Sequence, residues 1–387
     1  MTRFCSIFSQ LLQLFPRHEF QKAVQATHAE RHARGFTCWG QFVAMLFCQL
    51  GRAQSLREIC GGLASCEGRL AHLGITAPSR TTLAYANAHR PWQLYEQVFY
   101  QLLAQCQGLA GRRRFRFRNP LLTLDATVID LCAEMFSWAA FRRTKGAVTL
   151  HCTLDHDGYL PTAVVITEGK RHEVTVARRQ RFAPGTILVF DRGYLDFTWF
   201  ASLSTSKVWF VTRLKDNTAY EVVETRPVPQ RGGVVSDELI VLTSPASATK
   251  YPAELPLRRV AVETPEGDRL VFVTNHLGLG ATTVARIYRD RWQIELFFKA
   301  LKQHLRVKTF VGTSANALHI QIWTALIALL PLTYLQLRAT FGWSLSNLVA
   351  LLRMNLFVYR DLWTWVNDPF TSPPVPPDPE QAAFTWA

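Results

Sequence analysis

The sequence is poor in the features on which zinc-binding, secreted and membrane-spanning proteins depend. All eight cysteines lie at or before Cys152, without a CxxC pair or a Cys/His cluster of zinc spacing. We therefore expect reduced, mostly buried thiols in a cytoplasmic protein, and no zinc site. Residues 1–20 contain no long apolar core that ends in a small-residue cleavage site, so we expect no signal peptide.

Long hydrophobic runs are also scarce, because only segment 320–337 approaches the length needed to cross a bilayer. This segment contains two glutamines, two threonines and Pro331. We expect a buried helix packed on a sheet, and a membrane span is the remote alternative.

Acidic residues are the minority charge, with 29 Asp and Glu against 43 Lys and Arg, which gives a net charge of +14. A surplus of this size indicates a polyanionic partner, of which nucleic acid is the leading candidate. An anionic membrane surface is second, but no basic amphipathic anchor is evident. The 387 residues, 48% of them hydrophobic, are enough for more than one domain.

The periodicity of the apolar residues divides the chain into segments of different type. Helical spacing prevails at the start, strand-like alternation begins near residue 120, and a second all-strand stretch follows before helical spacing returns. The prediction is an α/β protein with a mixed sheet, helices on both of its faces and an antiparallel β insertion. The predicted boundaries are a helical N-terminal DNA-binding domain at 1–105, a basic linker at 106–119, the catalytic domain at 120–215 and 281–360, the β insertion at 216–280, and an extended or disordered tail at 361–387.

The stretch 288–302, YRDRWQIELFFKALK, lacks Pro and Gly and is predicted to be one helix of about four turns. At 100° per residue, Tyr288, Arg291, Glu295 and Lys302 fall within one narrow stripe beside an apolar face. On a lone helix such residues are most often ordinary surface ion pairs. Two aspartates elsewhere in the chain favour a functional interpretation.

Three acids stand out as candidate catalytic and metal-binding residues. Asp125 lies inside a very apolar strand, where an uncompensated charge is costly. Asp191 follows TILVF, at the carboxyl end of a strand, where open α/β sheets bind their ligands. Together with Glu295, these carboxylates could hold two Mg²⁺ or Mn²⁺ ions roughly 3.5–4 Å apart.

Other titratable residues are predicted to serve structural roles. Asp130 is expected to face outward, two aspartates to lie in a turn, Asp196 to cap a helix and Asp290 to lie off the stripe. The turn residues are Asp155 and Asp157. The two histidines expected to be structural or to face DNA are His151 and His172.

The pattern Tyr288-x2-Arg291-x3-Glu295-x6-Lys302 resembles the Tyr-Arg-Glu-Lys signature of the bacterial insertion-sequence DDE transposases of the insertion sequence 4 family. The DAT at Asp125 resembles the first acidic motif of this family, and the DRGY at Asp191 is similar to the second.

This resemblance extends over about residues 1–345 and carries expectations about fold. It implies an RNase H-like catalytic fold with a β-rich insertion between the second aspartate and the glutamate, where 216–280 falls. WFVTRLKDN resembles the strand that carries a DNA-contacting arginine, here Arg213. The helical N-terminal region looks like the end-binding domain of many members.

The activity that the resemblance implies is cut-and-paste transposition, with nicking at the element ends, a hairpin intermediate and joining to target DNA. It assigns phosphate contacts to Tyr288, Arg291 and Lys302, and it places Trp292 near a distorted base. It further implies a homodimer on paired DNA ends in the cytoplasm, associated with the nucleoid.

The sequence departs from some relatives in the last strand of the insertion. Those relatives stack a flipped base on a tryptophan there, whereas this chain has Leu270 and Val271. Two other functions remain open on the sequence. They are a metal-dependent nuclease or resolvase without strand transfer, and a non-catalytic DNA-binding repressor.

Overall fold

The computed structural model describes most of the chain. The described residues are 5–31, 33, 35–66, 70–107, 115–132, 136, 138, 140–142, 145–169, 172–304 and 310–370. The predicted linker at 106–119 and the tail at 361–387 thus lie partly outside the described residues.

Fourteen α-helices and ten strands are described. The helices are α1 Ile7–Leu12, α2 Arg17–Ala26, α3 Cys38–Gly51, α4 Leu56–Ala64, α5 Arg80–His89, α6 Gln93–Gln107, α7 Glu173–Ala177, α8 Phe197–Thr205, α9 Pro245–Ala248, α10 Ala281–Asp290, α11 Gln293–His304, α12 Ala315–Arg338, α13 Leu345–Asn355 and α14 Leu362–Asn367. The strands are β1 Leu121–Cys132, β2 Ala140–Arg142, β3 Lys145–Asp155, β4 Leu160–Glu168, β5 Ile187–Phe190, β6 Trp209–Arg213, β7 Tyr220–Thr225, β8 Val234–Leu242, β9 Leu257–Glu263 and β10 Arg269–Thr274.

The chain forms two compact units. The first, the helical unit, combines residues 1–102, 304–312 and 316–387, and the second, the sheet unit, comprises 103–303 and 313–315. This division differs from the predicted boundaries, because α12 and α13 group with the N-terminal helices although 281–360 was assigned to the catalytic domain.

Helix α12 is long and apolar enough to cross a membrane, but 83% of its apolar window is buried inside the protein. The prediction of a buried helix is confirmed, whereas its packing on a sheet is wrong. Trp323 of α12 stacks parallel to Trp92 and contacts the rings of Phe99 and Tyr100 on α6. Aromatic side chains on a neighbouring helix, and not strands, therefore cover this face of α12.

The first residues of the predicted tail at 361–387 are helical, and residues 371–387 lie outside the described part of the chain. Residues 362–367 form α14, whose N-terminus is capped by Asp361 through the backbone N–H of Thr364. Trp365 and Val366 are buried within the helical unit. The sequence DLWTWVN carries enough apolar surface for one more packed turn, which the proline-rich composition further along obscured.

The sheet unit is built on one ten-stranded sheet with the order β2-β3-β1-β5-β6-β10-β9-β8-β7, and β4 pairs with β3. Strand β1 is antiparallel to β3 and parallel to β5, and β5 is parallel to β6. The predicted mixed sheet is confirmed. The hairpin between β3 and β4 turns at Gly158, which has a φ of 141°.

The β insertion continues this same sheet, because β10 pairs antiparallel with β6. It comprises β7 to β10 and, unlike the predicted all-strand stretch, also the single turn α9. Strand β7 is almost wholly exposed. It therefore lacks the buried alternation by which a strand is recognised in a sequence.

Two hydrophobic cores cover the two faces of the sheet. On one face Leu121, Ile187 and Val211 pack with Val284 and Ile287 of α10. On the other face, strand residues pack with α7 and α8. Side chains alternate between the two faces along a strand. Residues an even number of positions after Leu121, Ile187 or Val211 therefore lie on the face that packs against α10. These residues include the three candidates Asp125, Asp191 and Arg213.

The predicted single helix over 288–302 is wrong, because it breaks at Arg291 and Trp292 into α10 and α11. The backbone there forms tight turns, with hydrogen bonds from Arg291 N to Tyr288 O (3.2 Å) and from Glu295 N to Trp292 O (3.1 Å). Turns of this 3₁₀ type rotate each residue by about 120° instead of 100°. The side chains after the break are therefore displaced around the axis from where a continuous helix would put them.

Candidate active site

Asp125 and Asp191 are neighbours at the carboxyl edge of the parallel strands. The register of β1 and β5 pairs Leu124 with Phe190, and the two aspartates are the next residue on each strand. Asp191 Oδ1 accepts a hydrogen bond from Gly193 N (2.8 Å), which fixes the turn after β5. Burial raises the pKa of Asp125 to about 7, and the nearby charge of Asp191 acts in the same direction. A cation at this position would therefore stabilise both carboxylates.

Arg291 links Asp125 to Glu295. Its Nη1 lies 3.9 Å from Asp125 Oδ2, and its Nη2 donates to Glu295 Oε1 at 2.8 Å. Because one planar guanidinium bridges them, the two carboxylates are within about 9 Å of each other. Burial lowers the pKa of Arg291, but the hydrogen bond to Glu295 and the neighbouring anionic groups raise it overall.

Tyr288 and Arg213 lie within electrostatic reach of these groups. Burial raises the pKa of Tyr288, which Arg291 and Arg213 oppose. The Nε atoms of Arg213 and Arg291 are buried and have no hydrogen-bond partner within the described part of the chain. Unpaired guanidinium donors next to a carboxylate pair are suited to an anionic ligand such as phosphate.

Lys302 and Trp292 lie at the margins of this arrangement. Lys302 Nζ donates to the carbonyl oxygen of Val128 on β1 at 2.8 Å. The side chain of Trp292 is 57% exposed. It lines a cavity of about 940 Å³ with Tyr288, Arg291 and the insertion, including Leu270. One side of the cavity is therefore formed by the last strand of the insertion, in which some relatives are expected to carry a tryptophan.

The donor set suits a hard divalent cation, since it consists of carboxylate oxygens with no thiolate. In the described residues, however, no three His, Cys, Asp or Glu side chains are close enough to hold a metal ion as they stand. Asp125 and Asp191 are adjacent, whereas Glu295 is held by Arg291. The neighbouring carboxylates of Asp125 and Asp191 are suited to binding a cation. Glu295 would become a third ligand only after its ion pair with Arg291 is broken.

The structural roles predicted for the other residues are largely found. Asp196 caps α8 by accepting from Trp199 N at 2.9 Å. His151 is buried against Thr167, and burial lowers its pKa to about 4. Asp130 is exposed.

Two features of the site gave no signal in the sequence. Asp290 was predicted only to lie off the stripe, yet it is buried and accepts a hydrogen bond from His156 at 2.6 Å. Glu173, the first residue of α7, lies close enough to Asp125 to raise the pKa of that carboxyl group. Both depend on contacts between distant parts of the chain, which local patterns do not encode.

Comparison with known proteins finds a family match that covers more than half of the chain. Residues 116–330 match the family described as "Transposase DDE domain", and residues 5–76 match a domain of unknown function, DUF4372. A transposase of Sinorhizobium fredii, y4zB, is 32% identical over 70% of this chain and 76% of its own length. A transposase for insertion sequence element IS5377 from Geobacillus stearothermophilus is 28% identical over 63% of this chain and 64% of its own length.

One solved structure, the piggyBac transposase synaptic complex with hairpin DNA, aligns with a TM-score of 0.45 and 9% identity over 94% of this chain and 82% of that one. The family and the first relative are sufficient to define the class of protein. The chain belongs to the transposases with a DDE domain. It is accordingly an enzyme that cleaves and joins DNA strands.

Proposed function

We propose that this protein is the transposase of an insertion sequence of the insertion sequence 4 family, in its Tyr-Arg-Glu-Lys group. The observation that carries the proposal is the side-by-side placement of Asp125 on β1 and Asp191 directly after β5, with Glu295 linked to Asp125 through Arg291. The strand order β4-β3-β1-β5-β6 supports an RNase H-like core for this site.

In the proposed reaction, water attacks the phosphorus at each element end, and the bond to the 3′ oxygen breaks, so that this oxygen leaves as a hydroxyl. The freed 3′-hydroxyl then attacks the phosphorus of the opposite strand and closes a hairpin, while the bond from that phosphorus to the flanking DNA breaks and the flank leaves with a 3′-hydroxyl. A second water attacks the hairpin phosphorus, and the bond to the 3′ oxygen breaks, which regenerates the 3′-hydroxyl of the element. This hydroxyl attacks a phosphorus of target DNA, and the displaced 3′ oxygen of the target strand leaves as a hydroxyl. The protein orients each attacking oxygen in line with the bond that breaks.

Asp125, Asp191 and Glu295 would hold Mg²⁺ or Mn²⁺, and we propose two ions. Such ions supply activation of the attacking oxygen and neutralisation of the leaving oxygen. The role of Arg291 follows from its contacts. In the free protein it is the counter-ion of Glu295, and on binding DNA its guanidinium would contact a phosphate, which frees Glu295 for the cations.

Arg213, Tyr288 and Lys302 complete the proposed phosphate contacts. The buried, unpaired Nε of Arg213 supports this role, since a phosphate oxygen would satisfy it. A DNA duplex carries its negative charge along the phosphate backbone. Several phosphate contacts on one face of the sheet unit would therefore position the DNA without recognising its base sequence.

Replacement of Lys302 by alanine should weaken the binding of element-end DNA and lower the slope of log K against log salt by about one unit. The substitution removes the contact of the ammonium with Val128 O at the edge of the site, and the alanine keeps the helix propensity of α11, so the fold should be retained. Fluorescence anisotropy at several salt concentrations measures the slope. Lys250→Ala, at an exposed lysine of the insertion, is the matched control. An unchanged slope would remove Lys302 from the phosphate contacts.

The cavity beside Trp292 is suited to an extrahelical base. Its volume of about 940 Å³ exceeds that of one nucleobase, and aromatic side chains line it on the side of α10. We propose that Trp292 supplies the stacking surface that Leu270 cannot supply, so that the hairpin step operates without a tryptophan in the insertion.

Replacement of Trp292 by alanine should reduce hairpin formation by about tenfold or more, because base–aromatic stacking contributes about 1–3 kcal/mol per base. Hairpin product is measured on denaturing gels, and 2-aminopurine at the element end reports unstacking. Leu296→Ala, at a 43% exposed position just beyond the break that does not line the cavity, is the control. Equal hairpin yields from both variants would exclude Trp292 from base stacking.

The helical unit is proposed to bind the element ends. On α5, Arg80, Thr81, Tyr85 and His89 form an exposed face without an acidic side chain, and Tyr85 is 67% exposed. Its ring stacks on His89 at 4.0 Å, which orders both side chains at the surface. A homodimer on two ends, associated with the nucleoid, completes the proposal, because joining requires both ends together.

Incubation of the protein with end-containing DNA and Mg²⁺ tests the function. Joined products are expected for a transposase. Cleaved but unjoined DNA would favour a nuclease or resolvase that uses the same carboxylates. Binding without cleavage would favour a repressor.

A further inference from the structure

Four hydrogen-bonded polar side chains, three of them buried, lie close in sequence and structure to Asp125 and Arg291. His156 Nε2 is 2.5 Å from Thr123 Oγ1, and its Nδ1 is 2.6 Å from Asp290 Oδ2. The hydroxyl of Tyr159 donates to the same Asp290 oxygen at 3.2 Å. Thr123, His156 and Asp290 are 0%, 4% and 5% exposed. The four residues, which we term the buried relay, connect β1, the β3–β4 turn and the end of α10.

The position of the buried relay ties together two parts of the active site. Thr123 precedes Asp125 by two residues and so shares its face of β1. Asp290 immediately precedes Arg291, at the point where α10 breaks from α11. The relay thus joins the strand that carries one carboxylate to the turn that carries the arginine bridging it to Glu295.

The buried relay lowers the stability of the fold relative to an apolar cluster of the same size, which argues for a role beyond packing. Burial of an aspartate and a histidine carries a desolvation penalty that apolar side chains of similar volume would avoid. Tyr159, moreover, has a φ of 55°, in the left-handed region that is unfavourable for a residue with a bulky side chain. This backbone conformation accompanies the delivery of its hydroxyl to Asp290.

We propose that Thr123, His156, Tyr159 and Asp290 are positioning residues, which fix the break between α10 and α11 so that Arg291 and Glu295 face Asp125. This inference rests on the proposed function, since it assigns these residues to the geometry of the same carboxylate site. The His156–Asp290 hydrogen bond holds the end of α10 against β1. Without it, α10 and α11 would be free to continue as one helix, and Glu295 would rotate away from the strand.

The experiment compares single-turnover cleavage at saturating end DNA with DNA affinity, per folded molecule. Asp290→Asn keeps the shape but removes the charge, and Thr123→Val removes only the hydroxyl. Both should keep the affinity for DNA and slow cleavage, Asp290→Asn by about 10- to 100-fold, as expected for groups that support metal ligands. Both should also raise the Mn²⁺ concentration at half-maximal cleavage, whereas Thr123→Ser should remain close to wild type.

Asp237→Asn is the matched control, because Asp237, on β8, is about as buried as Asp290 but pairs with Arg258. It should lower stability without slowing cleavage by the folded protein. Wild-type cleavage by Thr123→Val and Asp290→Asn would overturn the inference, and if Asp290→Asn does not fold, Thr123→Val against Thr123→Ser decides. Asp191→Asn separates the two proposals, since cleavage by that variant would refute the carboxylate site itself.

Discussion

Asp191→Asn should abolish strand cleavage, with a loss on the order of 10³-fold or more, while binding of element-end DNA persists. The carboxylate is expected to stabilise the cations by several kcal/mol, and the amide loses that charge. The amide oxygen still accepts the hydrogen bond that Asp191 Oδ1 takes from Gly193 N, so the turn after β5 should be retained. Cleavage of end DNA with Mg²⁺ and a gel-shift assay measure the two activities.

The control for this prediction is Asp196→Asn. Asp196 lies five residues further along, caps α8 and pairs with Arg178, so its replacement should affect stability alone. Purified Asp191→Asn that cleaves at the wild-type rate would refute the assignment of Asp125, Asp191 and Glu295 as catalytic residues.

Arg258→Ala should lower the free energy of unfolding by about 3–5 kcal/mol. The guanidinium holds Asp237 by two hydrogen bonds of 2.7 and 2.6 Å, and both side chains are almost fully buried. It also donates to the carbonyl oxygens of Leu277 and Leu279, just before α10. Its loss leaves the buried Asp237 carboxylate and the Leu279 carbonyl group without this donor, whereas Leu277 O keeps its hydrogen bond from Arg226 Nη1. Urea unfolding of the full chain measures the change.

Arg178→Ala provides the comparison for a pair at the surface. Arg178 is 46% exposed in its pair with Asp196, and exposed pairs contribute about 0–1 kcal/mol. Equal shifts of the unfolding midpoint for Arg258→Ala and Arg178→Ala would show that burial does not determine how much the Asp237–Arg258 pair contributes to stability.

The aspartates of the site could be predicted because local patterns specify them. An acid inside an apolar strand and an acid directly after one are both visible in the sequence, and a parallel register brings them together. The mixed sheet followed from the change of period near residue 120, whereas the order of its strands was not predicted. The features that could be predicted depend on neighbours along the chain.

The break at Arg291 could not be predicted, because its determinants are distant in sequence. Asp290 and His156 are 134 positions apart, and the helix propensity of YRDRWQIELFFKALK favours a continuous helix. The partners of α12 were missed for the same reason. An apolar helix is recognisable in the sequence, whereas the surface that covers it depends on the tertiary fold.

The continuity of the sheet through β6 and β10 limits how this protein can be shortened. If residues 216–280 were excised, β6 would keep β5 but lose β10, its neighbour on the other side. It would then be an open edge of the sheet, with unpaired N–H and C=O groups beside the apolar side chains of Phe210 and Val211. Such an edge invites association with other chains. The insertion is therefore a lateral continuation of the catalytic scaffold, and a minimal version of the enzyme would have to keep at least β10 or replace it.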